Sequence, residues 1–84
     1  MIASFDSHSG IVYIQVNDLP AARRKTVEFD PETILELDEA GGLVAVEMTK
    51  PSRATLNRIM RKFGRWELSR VNIDSLKGAF SQGE

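Results

Sequence analysis

Cysteine is absent from this chain, which excludes disulfides, thiolate metal sites and a thiol nucleophile. Histidine occurs once, so no pair of imidazoles is available for catalysis or for a metal. No apolar run approaches the roughly 18 residues that a membrane span requires. Nor does the N-terminus carry a basic stretch followed by an apolar one, as a secretory signal would. The expected setting is therefore the reducing cytoplasm. Overall charge is also scarce, at −1. What is present, 84 residues of which 42% are hydrophobic and 27% charged, is the composition of one small globular domain spanning residues 1–84.

The small net charge conceals two opposed halves. Residues 1–48 hold three basic side chains (Arg23, Arg24, Lys25) against nine acidic ones, a net of −6. Residues 49–84 hold eight basic against three acidic (Glu67, Asp74, Glu84), a net of +5. Such a split marks candidate interaction surfaces. The plainer reading is that the basic half neutralises the acidic half of its own chain or of a sister subunit.

The first half, residues 1–49, reads as strands. Ile11 to Val16 is rich in β-branched and aromatic residues, and Ile2 to Phe5 before it suits an edge strand. Asn17-Asp18-Leu19-Pro20 reads as a turn, after which Ala22 to Phe29 is expected to be extended. Asp30-Pro31 breaks that run, and Thr33 to Asp38 and Leu43 to Met48 flank a glycine-bearing hairpin turn at Glu39-Ala40-Gly41-Gly42. The expectation is a four- to five-stranded antiparallel meander. Period-2 alternation assigns Val12, Ile14, Val16, Val27, Phe29, Leu35, Leu37, Val44, Val46 and Met48 to the core face. The second face collects Ile11, Tyr13, Ile34, Leu43 and Ala45 among Gln15, Glu36, Asp38 and Glu47.

The second half, residues 50–84, changes period. Leu56, Ile59, Met60 and Phe63 follow helical spacing, with Ser52 as N-cap and Gly64 at the C-terminal cap. Arg58, Arg61, Lys62 and Arg65 fall on the opposite side, making a basic amphipathic helix over 53–65. Beyond it Trp66 to Ile73 is ambiguous: Trp66 and Leu68 alternate as in a strand, whereas Val71 and Ile73 shift the phase. Asp74 is a candidate cap for a last short helix in which Leu76 and Phe80 share a face. The fold class is thus α+β, an antiparallel sheet followed by one amphipathic helix and a short C-terminal element.

Residues 5–48 carry a pattern of short motifs: Phe5-Asp6, a turn over Ser7 to Gly10, Val12-Tyr13-Ile14, then an acidic glycine hairpin running from Glu36 to Glu47. In these the chain resembles a family of small, mostly bacterial proteins known as domain of unknown function 2283. Gly10 stands where that family often has an acidic residue, and Ala45 where it has glycine. The resemblance implies an antitoxin-like role, paired with a small ribonuclease-like toxin.

Catalysis requires groups of matched pKa within reach of one another. His8 lies in a turn between Ser7 and Ser9, where neighbouring side chains do not converge on one reacting atom. Asp6 and His8 lack a third ligand at Gly10, so no metal is expected there. Glu36, Asp38, Glu39 and Glu47 cluster near one hairpin, which reads as a solvated face, with a divalent cation site as the alternative. Gly41-Gly42 has no following helix to supply amides to a phosphate. The sequence therefore points to no catalytic residue, no metal and no cofactor.

The expected function is a non-enzymatic interaction module that binds and masks a basic, toxin-like protein. The alternative is a nucleic-acid-binding regulator that uses Arg58, Arg61, Lys62 and Arg65, with Trp66 or Phe63 stacking on bases. One helix covers only one face of a sheet. A homodimer is therefore expected, through sheet faces or edge strands, with Ile11, Tyr13, Ile34 and Leu43 as candidate interface residues. No membrane contact is expected.

Overall fold

A computed structural model describes residues 1–76. Five strands form one antiparallel sheet: β1 (Ile2–Asp6), β2 (Ile11–Gln15), β3 (Lys25–Asp30), β4 (Thr33–Leu37) and β5 (Leu43–Met48). Helix α1 (Arg53–Phe63) follows, then a 3-10 turn at Trp66–Arg70 and a helical turn over 73–76. This is the α+β architecture that the change of period predicts.

The spatial order is β1-β2-β5-β4-β3. β3 to β5 run as a meander and β1 with β2 as a hairpin, but β2 lies beside β5. Residues 16–24 therefore carry the chain past β5 and β4 to the far edge. The central place of β5 suits its composition: Leu43, Val44, Ala45, Val46 and Met48 are all buried, and Glu47 alone keeps a polar group on its outward side.

The crossing segment is not extended where the sequence reading expects it to be. Ala21–Arg23 form a 3-10 turn, closed by bonds from the Arg23 amide to the Pro20 carbonyl (2.9 Å) and from the Arg24 amide to the Ala21 carbonyl (3.1 Å). Pro20 presets the dihedral that opens such a turn, and two alanines offer no β-branched side chain to resist it. The strand begins only at Lys25.

At the hairpin between β4 and β5, Asp38 Oδ1 accepts from the amides of Ala40 and Gly42, at 2.9 and 2.8 Å. A Cβ on Gly42 would lie 2.8 Å from Asp38 Oδ2, so the bare backbone is what lets this carboxylate fold over the turn.

One face of the sheet is covered. Val12, Ile14, Leu35, Val46 and Met48 pack with Leu56 and Ile59 of α1 and with Leu68, Val71 and Ile73 beyond it. The helix begins as its sequence predicts, with Ser52 Oγ accepting from the Thr55 amide at 3.3 Å. It ends at Gly64, whose left-handed φ of 66° would strain any residue with a Cβ. Arg53 ties the following segment to the first turn of α1: its guanidinium donates to the carbonyls of Val71 (2.6 Å) and Leu68 (3.0 Å) and to Asn57 Oδ1 (3.0 Å). Neither strand phase nor Asp74 governs this segment. Asn72 caps the last turn, its side chain accepting from the Ser75 amide at 2.9 Å, and Asp74 sits inside the turn. The expected partnership of Leu76 with Phe80 lies outside the described residues.

Replacing Leu56, which has no exposed surface, leaves a void between the two layers. Leu56→Ala is expected to lose about 2–5 kcal/mol of stability, read from the midpoint of a urea unfolding curve whose slope stays unchanged.

Candidate functional site

The face of the sheet turned away from α1 is built from alternate residues of all five strands. Register places Ser4, Tyr13, Glu47, Ile34 and Glu28 in one row, and Ile2, Gln15, Ala45, Glu36 and Thr26 in the next. No described helix lies over this face. Ile34 is 38% exposed, with Glu28 and Glu47 as its cross-strand neighbours. The surface thus holds an exposed apolar side chain on β4 flanked on each side by a carboxylate.

Part of it is covered by the chain itself. The Arg24 guanidinium donates from Nη1 to Glu36 Oε2 and to the Tyr13 hydroxyl, both at 3.0 Å. The Tyr13 hydroxyl donates to the same Glu36 oxygen at 3.1 Å, and Arg24 Nε holds the Leu19 carbonyl at 2.6 Å. Tyr13 and Glu36 stand on β2 and β4, which flank β5, so their bond passes over Ala45, the smallest side chain of β5 and a fully buried one. The bridge leaves the Arg24 side chain only 13% exposed and fastens the crossing segment to the sheet. The hydrogen bond to the Tyr13 hydroxyl, then the pairing with Glu36, hold the Arg24 guanidinium protonated more firmly than usual. The run Arg23-Arg24-Lys25 reads in sequence only as charge. What singles out Arg24 is phase, because it shares a face with Thr26 and hence with Glu36 across the β3–β4 pair.

Of the four candidate interface residues, the structure leaves three on this face. Ile11 and Tyr13 are half-buried and Ile34 is exposed. Leu43 is not there: it is 1% exposed and belongs to the core. The cause is a β-bulge. Glu36 pairs with Ala45, but Leu37 pairs with Leu43, so Val44 is an extra residue that reverses the alternation. The Val44 carbonyl accepts from the amides of Val16 (2.7 Å) and Asn17 (3.1 Å), which turns the end of β2 toward the crossing segment.

The basic residues of α1 do not form one solvated stripe. Arg58 stacks over the ring of Phe29, 4.9 Å from its centroid, and Lys62 reaches the same ring at 5.9 Å. Arg65 pairs with Glu67 at 3.5 Å, and Arg61 is exposed. Trp66 is 61% exposed beside them, and Phe63 is half-buried against the core.

The carboxylates near the hairpin are separated by role. Glu36 belongs to the Arg24 bridge, Asp38 caps the turn, and Glu39 meets Arg23 at 3.6 Å. Among the described residues no three His, Asp or Glu side chains gather as a metal-binding group. His8 is exposed, and its amide donates to Asp6 Oδ1 at 2.9 Å. A surface groove of about 410 Å³ is lined by Pro51, Arg53, Ser69, Asn72 and Asp74 among others. Both terminal nitrogens of Arg53 already donate to backbone carbonyls there.

Of the four ion pairs among the described residues, only Lys50 with Glu32, at 3.5 Å, joins the acidic half to the basic half. The halves lie in different layers, and their outward surfaces keep opposite signs. Among the described residues no helix is long and apolar enough to cross a membrane. Comparison with protein-family models, with curated proteins and with solved structures finds no match to this chain.

Removing the Tyr13 hydroxyl takes one side from the bridge while Arg24 keeps Glu36, so Tyr13→Phe is expected to cost about 1 kcal/mol in urea unfolding. Arg24→Lys cannot hold the Leu19 carbonyl and the carboxylate together, and is expected to speed amide exchange across residues 16–24. In the first turn, the His8 amide, with help from the Ser9 hydroxyl, holds the Asp6 carboxyl below its ordinary value of 3.8. Folding therefore gains stability from ionised Asp6 above that value, and loses it as pH falls through the lowered folded value. Thermal melts should show wild type ahead of Asp6→Asn near neutral pH, with the gap closing in acid below the ordinary value.

Proposed function

We propose that this protein is a non-enzymatic interaction module whose outer sheet face docks a basic protein partner. One observation carries the reading: Ile34, exposed between Glu28 and Glu47, gives that face an apolar anchor point flanked by carboxylates. Such a surface suits a partner that offers apolar side chains ringed by lysine or arginine. Burial of that anchor supplies affinity, and the carboxylates supply fast, oriented encounter. The separation of acidic and basic residues into different layers supports the same reading, because the sheet's charge is not cancelled from within. The resemblance to domain of unknown function 2283 supports a more specific partner, a small ribonuclease-like toxin that this chain would mask in the cytoplasm.

Nucleic-acid binding is the rival, and one observation favours it: Arg58, Arg61 and Lys62 are exposed on α1 with Trp66 nearby. Two of those cations, however, rest on Phe29, and Arg65 is paired with Glu67.

Co-expression with the product of the adjacent reading frame separates the two. On the proposed reading a complex forms, growth is rescued, and Ile34→Lys combined with Glu47→Lys weakens binding at least about tenfold. Arg61→Glu with Lys62→Glu should leave that complex intact. No complex and no rescue would refute the toxin-masking role. Binding to RNA or DNA with a log–log salt slope of about −3 to −4, lost in the α1 variant, would establish the rival instead.

A further inference from the structure

The two edges of the sheet are built differently. β3 carries Lys25, Glu28 and Asp30, and its register shifts between Glu28 and Asp30. Charges and bulges of this kind are what keep an edge from pairing with another chain. β1 has no register shift, and its one charge, Asp6, stands at its end. Ile2, Ala3, Ser4 and Phe5 are uncharged, and their pairing with β2 is regular over all five residues. Met1 and Ile2 are 55% and 64% exposed beside it. Among the described residues no strand lies on the outer side of β1.

We infer that β1 is the edge through which two copies of this chain join, antiparallel, about a two-fold axis at Ser4. The sequence of β1 complements itself in that register. Ser4 meets its own copy, Ile2 lies across from Asp6 of the other chain, and Ala3 lies across from Phe5. Ala3 and Phe5 both point to the helix-covered face, where they flank the core, so each small side chain makes room for a large one. No like charges face each other. Sliding one chain by two residues loses this match: one register sets Phe5 against its own copy, and the other sets Ala3 against Ala3 and moves Phe5 opposite Met1.

A sheet-face dimer, by contrast, would bring together two surfaces bearing Glu28 and Glu47. The two-fold of an antiparallel edge pair stands perpendicular to the sheet. Both outer faces therefore lie on one side of a continuous ten-stranded sheet and both α1 helices on the other. This assembly does not depend on the identity of any partner, and stands or falls apart from the function proposed above.

The natural absence of cysteine makes the test clean. Paired residues on adjacent antiparallel strands lie about 4.5–5.5 Å apart at Cα, within disulfide reach. Under mild oxidation at tens of micromolar, Ser4→Cys should convert mostly to a linked dimer, whereas Glu28→Cys on β3 should link no faster than random collision. By light scattering, wild type should show twice the chain mass. Ser4→Lys and Ser4→Glu, folded by circular dichroism because residue 4 is exposed, should each be monomeric and should regain the dimer when mixed. A monomeric wild type would overturn the inference. So would a dimer that persists in Ser4→Lys with no preferential linking of Ser4→Cys, since that dimer would use another surface.

Discussion

A five-stranded sheet has two faces, and among the described residues one helix of about three turns is available to cover them. That inequality governs the rest of the structure. Leu56 and Ile59, with Leu68, Val71 and Ile73 behind them, complete the core on one side. Among the described residues nothing of comparable size lies on the other, where the chain must accept water, bond polar groups to one another, or meet a second protein. It does the first two in different places. Near the hairpin, Tyr13, Arg24 and Glu36 close over Ala45. Beside Ile34, carboxylates keep the surroundings of an exposed apolar side chain hydrated.

The Arg24 bridge shows how a polar group can substitute for a missing layer. Its side chain is long enough to reach from the start of β3 to Tyr13 on β2, and its planar fork satisfies a carbonyl, a carboxylate and a hydroxyl together. A bulkier residue than alanine at position 45 would stand in its way. The bridge also fixes the crossing segment, which has no strand partner of its own.

Much of this was legible in the amino-acid sequence because it is local. The spacing of Leu56, Ile59, Met60 and Phe63, the hydroxyl of Ser52 and the glycine at 64 act within a turn or two, and each performs its expected part. The strands were legible for the same reason. What alternation alone cannot register is a bulge: one extra residue at Val44 moves Leu43 from the outer face into the core, and no local composition marks it. The order of strands was hidden too. Whether β2 pairs with β3 or with β5 is decided by which strand can be covered on both sides, a property of the assembled sheet. Nothing local distinguishes Arg24 and Arg53 from surface charge, because their acceptors, several of them backbone carbonyls, are brought near only by the completed fold.

The grip of Arg53 on the carbonyls of Leu68 and Val71 links residues 15 and 18 apart in the chain, far closer than the pairing of Val12 with Met48. Closing a short loop costs less entropy than closing a long one, so the helical lid, like the β4–β5 and β1–β2 hairpins, is a local unit, and laying β2 beside β5 is the costlier closure. That one long-range junction therefore turns three locally held pieces into a single cooperative unit, and weakening it would uncouple them rather than unravel any one of them.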